Sequence, residues 1–259
     1  MKYLLSITLC VSLMVSALAQ NKTKPDPNFH IYLLLGQSNM AGRGEITGAF
    51  INEGNPRVMM LNKENQWVLA KHPLHFDKPK AAGVGPGLAF GIKMAEANPN
   101  VQIGLVPCAV GGTSISKWEP GKYDKETDTH PYDDAVARIE EAMKKGVIKG
   151  LLWHQGESDT NPEKAANYLS DLKTLIERIR KVCKNPDLPV VVGELGLFKE
   201  NRKIINEVIA PLPSQVPHTA IAKSNGLEQK GDGAHFNSES AQILGYRFAE
   251  QMLILQKNK

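Results

Sequence analysis

Cysteine is scarce in this sequence, and neither sign of charge dominates it. Only three cysteines occur among 259 residues, and no spacing of them with histidine resembles a metal site. The formal net charge is +4, of which Lys2 supplies one, which leaves +3 beyond the N-terminal segment described below. That charge is too small to indicate nucleic acid or a membrane surface as a partner. Internal repeats and low-complexity tracts are also absent from the sequence.

Long apolar runs are missing too, apart from one at the N-terminus. Lys2 precedes a mostly apolar stretch from residue 3 to 15, which is too short to span a membrane comfortably. Residues 17–19, Ala-Leu-Ala, have the small-x-small pattern that signal peptidase prefers. We therefore interpret residues 1–19 as a secretory signal, with an uncleaved N-terminal anchor as the alternative. We expect a secreted or periplasmic protein that has no membrane contact after cleavage.

Two cysteines, Cys108 and Cys183, remain beyond this signal. Export would allow a disulfide between them, because secreted proteins fold in an oxidising environment. Both residues lie in apolar stretches, which is equally typical of two buried free thiols. The sequence leaves these two possibilities open.

Strand and helix patterns alternate along residues 20–259, which we interpret as one domain. The apolar runs that predict buried strands fall at 31–35, 101–110, 148–153, 188–192 and 219–223. The helical patterns fall at 88–97, 132–145, 163–183, 202–209 and 238–255, with Ser238 as the expected N-cap of the last one. This order predicts an α/β fold, a three-layer α/β/α sandwich around a five-stranded parallel sheet. We also expect a flexible lead-in at 20–29 and a small hairpin from 58 to 70.

Four blocks of small and polar residues stand where predicted strands end or just before the last helix. They are Gly-Gln-Ser-Asn-Met at 36–40, Gly-Gly-Thr-Ser at 111–114, Trp-His-Gln-Gly-Glu-Ser-Asp at 153–159 and Asp-Gly-Ala-His-Phe at 232–236. Each block alone has a simple structural explanation as a helix cap, a turn or a solvated loop. Ligands, however, bind outside the carboxyl ends of strands in an open parallel sheet. The four blocks are therefore candidates for a single site.

Together the blocks contain the groups that acyl transfer requires. Ser38 is the candidate nucleophile and His235 its general base, with a carboxylate to orient the imidazole. The backbone N–H groups of Ser38 and Gly112 and the side-chain amide of Gln155 are candidate donors to a tetrahedral oxyanion. A metal site in the third block is a weaker interpretation, because nothing fixes a tetrahedral geometry there.

In sequence and order, the blocks resemble those of the SGNH hydrolase superfamily. More narrowly, they resemble its sialate O-acetylesterase-like branch and carbohydrate esterase family six, which includes acetylxylan esterases. The resemblance covers nearly all of residues 20–259 and implies a flavodoxin-like sandwich that removes O-acetyl groups from sugars without a cofactor or metal. Two departures stand out: the usual Gly-Asp-Ser is Gly-Gln-Ser here, and Gln155 takes the place of the oxyanion-binding Asn.

The resemblance leaves two candidates for the acidic member of the triad. Asp232 fits the Asp-x-x-His pattern of the superfamily, whereas Glu157 fits the narrower branch. We favour Asp232, because the turn itself places it near His235. Glu157 would then orient His154 or contact the sugar. We also expect substrate contacts from Gln37, Asn39 and His154.

The sequence thus predicts a secreted serine esterase that deacetylates xylan or a related polysaccharide. A sialic acid 9-O-acetylesterase is the alternative enzyme, and a non-catalytic sugar-binding domain on a hydrolase scaffold is the alternative of another class. The presence of Ser38, Asp232 and His235 together argues against a mere binding domain. The loops at 41–56 and 71–87 carry no pattern that distinguishes the two substrates, and nothing indicates an oligomeric state.

The signal interpretation yields one direct prediction. Cleavage after Ala19 would make Gln20 the first residue of the exported protein, because the small-x-small pattern ends there. Mass spectrometry of the secreted product measures this N-terminus. An exported chain that still begins at Met1 would contradict the prediction.

Overall fold

The computed structural model describes residues 24–257 of the chain. The predicted signal at 1–19 lies outside the described residues, as do residues 20–23 of the expected lead-in. Within the described range, no helix combines the length and the apolar character needed to cross a membrane.

The central strand is β1, which spans Asp26–Gly36. Its residues 31–35 are fully buried, as expected for a parallel strand that is covered on both faces. The lead-in predicted at 20–29 is wrong from Asp26 onward, since these polar residues extend β1. Asp26 is paired with Gly146, so backbone hydrogen bonds hold the polar start of the strand, whereas Phe29 is buried in the hydrophobic core.

The sheet has seven strands rather than the five predicted, in the order β3-β2-β4-β1-β5-β6-β7. Its other strands are β2 (Val58–Leu61), β3 (Trp67–Leu69), β4 (Gln102–Pro107), β5 (Gly146–His154), β6 (Val190–Gly193) and β7 (Thr219–Ala222). The predicted hairpin is confirmed as β2 and β3. It also joins the main sheet, because β2 pairs in parallel with β4, and β3 adds an antiparallel edge strand.

Helices cover both faces of the sheet and confirm the three-layer sandwich. They are α1 (Ser38–Ala41), α2 (Pro86–Ala97), α3 (Pro131–Met143), α4 (Pro162–Val182), α5 (Lys203–Ile209), α6 (Leu212–Gln215) and α7 (Ser238–Lys257). Helices α3, α4 and α5 share one hydrophobic core, while α2 and α7 share the other. Alternate residues of β1 supply the two cores, Ile31, Leu33 and Leu35 to the first and Tyr32 and Leu34 to the second.

The N-cap of α7 is Asn237 and not Ser238. The side-chain oxygen of Asn237 accepts a hydrogen bond of 2.8 Å from the N–H of Ser240, three residues on. The hydroxyl of Ser238 instead donates to the carbonyl oxygen of Glu45, at 2.7 Å. Both residue types cap helices well, and the tertiary contact to Glu45 decides which one does so here.

Cys108 and Cys183 are free and buried, so the second of the two cysteine interpretations holds. Burial raises the pKa of the Cys108 thiol to about 11 and that of Cys183 to about 12. Both thiols therefore stay protonated at neutral pH and act as apolar core residues.

Candidate active site

The site forms at the carboxyl ends of β4, β1 and β5, the three central strands. β1 ends at Gly36, whose φ of +136° is a conformation that residues with a Cβ rarely adopt. A Cβ at this position would collide with the carbonyl oxygen of His154 on β5. The same oxygen accepts a hydrogen bond of 2.9 Å from the N–H of Gln37. The chain then turns directly into α1, with Ser38 as its first residue.

Ser38, His235 and Asp232 form a continuous hydrogen-bonded chain. His235 Nε2 lies 3.0 Å from Ser38 Oγ, and His235 Nδ1 lies 2.7 Å from Asp232 Oδ2. Both distances lie within the range in which a base activates a hydroxyl nucleophile and a carboxylate orients that base. The geometry thus joins Asp232, rather than Glu157, to the imidazole.

Asp232 is held in its ionised form. Partial burial acts to raise its pKa, but hydrogen bonds from the His235 side chain and from the backbone N–H groups of His235 and Ala234 outweigh this effect. Both N–H groups donate to Asp232 Oδ1 at 2.8 Å. The pKa of Asp232 therefore lies well below its usual value, and the carboxylate remains charged wherever histidine titrates.

The second block lies against the nucleophile. A Cβ on Gly111 would be 3.4 Å from the Cβ of Ser38 and 2.9 Å from Asp77 Oδ2, so only glycine fits at this position without a shift. Gly112 is exposed and has a φ of +92°. The N–H groups of Ser38 and Gly112 have no protein acceptor among residues 24–257. Both residues line the same cleft, so these two donors are available to an oxyanion there.

A buried ion pair that sequence reasoning missed fixes this second block. Arg43 Nη2 donates to Asp77 Oδ2 at 2.7 Å, and their side chains are only 5% and 2% exposed. The N–H of Gly111 donates to the same carboxylate oxygen, at 2.8 Å. Burial acts to raise the pKa of Asp77, yet the adjacent Arg43 guanidinium holds it below its usual value. Asp77 stands in the loop at 71–87, where no sequence pattern indicated it.

Asn39 connects the first block to the third and fourth. Its side-chain N–H₂ donates to Glu157 Oε1 at 2.6 Å and to the carbonyl oxygen of Ala234 at 3.2 Å. Its side-chain oxygen accepts from the N–H of Phe236 at 3.1 Å. Asn39 is 3% exposed, so it braces the turn that carries His235 rather than facing the cleft as a substrate contact.

The structure does not bring His154 to the cleft either. Its side chain is fully buried, and its imidazole lies against the rings of Phe236 and Phe248. Burial lowers the pKa of His154, so the ring is neutral and packs as a core residue. Its Nε2 lies 3.1 Å from the carbonyl oxygen of Glu194.

The cleft at Ser38 has a volume of about 480 Å³ and a cationic rim. Lys78, Lys80 and Lys230 line it together with the catalytic candidates. Arg43 also borders it, but its charge is offset by Asp77. In the part of the chain that the structure describes, no three His, Cys, Asp or Glu side chains are grouped as metal ligands.

Comparison with known proteins establishes the family. Residues 28–254 match the carbohydrate esterase family described as sialic acid-specific acetylesterase. The chain belongs to this family of carbohydrate esterases. It is 34% identical over 251 residues to a probable carbohydrate esterase of Arabidopsis thaliana, and the match covers 88% of this chain and 92% of the plant protein.

Solved structures agree with the fold of a carbohydrate esterase. The crystal structure of the Arabidopsis protein matches with a TM-score of 0.77 at 32% identity, over 88% of this chain and 99% of that one. NanS matches with a TM-score of 0.71 at 20% identity, over 91% and 99%. A carbohydrate acetylesterase from Xanthomonas citri matches with a TM-score of 0.68 at 17% identity, over 88% and 57%. The last two, at this identity, show the fold alone.

Gln155 of this carbohydrate esterase is engaged in a buried network and is not free to bind an oxyanion. The two N–H bonds of its amide serve three acceptors, which are Gln37 Oε1 at 3.0 Å, the Thr113 carbonyl at 3.0 Å and Asp159 Oδ2 at 2.5 Å. Its own side-chain oxygen accepts from the hydroxyl of Tyr168 at 2.9 Å. Gln155 and Gln37, at 1% and 3% exposure, thus link the first, second and third blocks from below the cleft.

This placement predicts that Gln155→Ala mainly costs stability. The substitution leaves buried polar groups without partners, and each such group costs about 1–3 kcal/mol, more if it is charged. We expect the free energy of unfolding in urea to fall by about 3 kcal/mol or more. Gln66→Ala, on the exposed turn of the hairpin, is the matched control and should change it by less than about 0.5 kcal/mol. Unchanged stability with a loss of about 10²- to 10³-fold in kcat would instead identify Gln155 as an oxyanion donor.

Proposed function

We propose that this carbohydrate esterase is a serine hydrolase that removes O-acetyl groups from a carbohydrate, with Ser38 as its nucleophile. The observation that carries the proposal is the contact of Ser38 Oγ with His235 Nε2, at 3.0 Å, beside two unoccupied backbone donors. A domain that only bound sugar would have no need of an aligned nucleophile, base and carboxylate.

The reaction proceeds in two steps. His235 Nε2 accepts the proton of Ser38 Oγ as this oxygen attacks the acetyl carbonyl. The N–H groups of Ser38 and Gly112 stabilise the oxyanion, while Asp232 stabilises the charged imidazolium. The tetrahedral intermediate collapses, and the sugar hydroxyl leaves with the proton from His235. Water, activated by the same imidazole, then cleaves the acetyl-serine and releases acetate.

As substrate we propose an O-acetylated polysaccharide, xylan or a related polymer. The exposure of Lys80, Gly112 and Lys230 on the border of the cleft supports this proposal, because a long substrate has access to the cleft from solvent there. We further propose that the enzyme is exported, on the strength of the signal-like pattern at residues 1–19.

Acetylated sialic acid is the second candidate substrate, and one observation favours it. Lys78, Lys80 and Lys230 provide ammonium groups around Ser38, and sialic acid carries a carboxylate that could pair with one of them. The description of the family as sialic acid-specific agrees with this possibility. A neutral acetylated xylan makes no use of these charges.

The carboxylate assignment is tested by comparing two isosteric variants. Asp232→Asn should lower kcat on a small acetate ester by about 10³- to 10⁴-fold, because it disturbs the tautomer of His235. Glu157→Gln should cost less, since the oxygen that binds Asn39 is retained. A larger loss in Glu157→Gln would reverse the assignment and make Glu157 the acidic member of the triad.

The proposed reaction is tested by measuring acetate release. Wild-type enzyme should release acetate from acetylated xylan more efficiently than from 9-O-acetylated sialic acid, whereas Ser38→Ala should lose about 10⁶-fold in kcat. Ser170→Ala, an exposed serine on α4, is the matched control and should behave as wild type. If Ser38→Ala retains the wild-type rate, the serine mechanism is wrong; if sialic acid is the better substrate, the second candidate replaces the first.

A further inference from the structure

A second cavity of about 580 Å³ adjoins the cleft at Ser38, and the two share Gly112. The residues that line it come from the segment at 111–130, from Ser158 in the third block and from Lys164 at the start of α4, and none of them belongs to the triad. Its hydroxyl groups are those of Ser114 and Ser158, which are both partly exposed. A cavity of this size accommodates one or two sugar rings, since binding sites for small ligands span about 300–1,000 Å³.

Gly112 forms a shared floor between the two cavities. A Cβ on it would lie 3.6 Å from Lys78 Nζ, which borders the Ser38 cleft, and 3.9 Å from Glu126 Oε2, which borders the second cavity. The hydroxyl of Ser158 donates to the carbonyl oxygen of Gly112 at 3.0 Å and supports this floor from the second side. The two cavities therefore adjoin across Gly112, close enough for one ligand to occupy both.

Three lysines line the second cavity, and the ammonium of one of them, Lys117, donates to the carbonyl oxygen of Tyr123 at 2.8 Å. Lys117, Lys125 and Lys164 line it, and none of them makes a salt bridge to another residue between 24 and 257. Lys164 stands in the first turn of α4, where the positive end of the helix dipole opposes a cation. Its ammonium donates to the carbonyl oxygen of Ser158 at 3.1 Å, beside the shared floor.

Two acidic residues also line the second cavity, and the carboxylate of one of them is hydrogen-bonded to a neighbouring residue. The carboxylate of Asp124 is buried and accepts hydrogen bonds from the N–H and the hydroxyl of Thr127, at 3.2 and 2.7 Å. Glu126 is exposed beside Gly112. The lining of the second cavity thus carries three lysines against two carboxylates, and three more lysines follow across Gly112, of which Lys230 lies 4.0 Å from Asp232. The combined surface favours a ligand that carries negative charge along its length.

We propose that the second cavity is a subsite for a further sugar unit that bears a carboxylate. The enzyme then acts on O-acetylated acidic oligosaccharides or polysaccharides, with the acetylated unit at Ser38 and a uronate-type unit near Lys125 and Lys164. This inference rests on the proposed esterase function and specifies its substrate class. An acetylated monosaccharide would leave the second cavity empty.

The test compares three substrates with two variants. The substrates are O-acetylated trigalacturonate, O-acetylated xylotriose and 4-nitrophenyl acetate, which are an acidic trimer, a neutral trimer and an ester without sugar. Lys125→Gln/Lys164→Gln removes two charges from the subsite. The control variant, Lys145→Gln/Lys181→Gln, also removes two positive charges, but away from the subsite. Lys145 is exposed just after α3, and Lys181 is exposed at the far end of α4, about 25 Å from Lys164 along that helix.

We expect wild-type enzyme to prefer the acidic trimer and to lose that preference as ionic strength rises from about 0.01 M to about 1 M, where the Debye length falls from about 30 Å to about 3 Å. The subsite variant should raise KM for the acidic trimer by about 2- to 25-fold with little change in kcat, since each exposed ion pair contributes about 1.4- to 5-fold. The subsite variant should raise KM for the neutral trimer by a smaller factor. The control variant should have the wild-type KM for both trimers.

Binding is measured separately from catalysis, so that the two proposals can fail independently. Unacetylated trigalacturonate is titrated calorimetrically into Ser38→Ala protein with and without the subsite substitutions. The subsite proposal is wrong if trigalacturonate binds equally well with and without the subsite substitutions and if KM for the acidic trimer is the same in all variants. Absence of Ser38-dependent acetate release from all three substrates overturns the esterase proposal instead, while charge-dependent binding of trigalacturonate would still support the subsite.

Discussion

The close approach of β1 and β5 at their carboxyl ends is the constraint on which the site depends. Gly36 and the His154 carbonyl are so near that no side chain fits between them, and the N–H of Gln37 is bonded to the same oxygen. The chain must therefore leave the sheet at this point and enter α1 with Ser38 at its start. Because β4 lies on the other side of β1, the Gly111–Gly112 turn reaches Ser38 as well. Strand order alone thus assembles three of the four blocks.

Buried polar side chains hold these blocks in register beneath the cleft. Asn39 ties the first block to the third and the fourth, Gln155 ties the third to the first and the second, and Asp77 ties the second to Arg43. Such networks are costly when incomplete, because a buried polar group without a partner loses the hydrogen bonds that water would give it. These buried side chains therefore support the few groups that line the cleft, which are Ser38, Gly112, His235 and the lysines.

Much of this organisation was predictable from the sequence, and the failures have physical causes. Continuous apolar runs identified the strands around β1, because parallel strands are buried on both faces. The same rule misses Asp26, which is held by backbone pairing rather than by apolar burial, and it does not show that the predicted hairpin of β2 and β3 joins the main sheet. Residue type indicated Ser38, His235 and Asp232, since their spacing and turn chemistry are local. Residue type did not predict the roles of Gln155 and Asn39, because a side-chain amide can bind either a ligand or a neighbouring residue. It did not indicate Asp77 either, because the partners of Asp77 are distant in sequence.

Asp232 and His235 lie within one short turn, and this has a mechanical consequence. Asp232 Oδ1 is bonded to the backbone of that turn and Oδ2 to the imidazole, so the acid–base pair is assembled by local contacts alone. The geometry of the pair is therefore set within the turn, whereas the separation between His235 and Ser38 is set by how the turn sits on the rest of the site. The alignment of the intact acid–base pair with Ser38 is therefore a separate requirement, which the contacts of Asn39 with Ala234 and Phe236 meet from outside the turn.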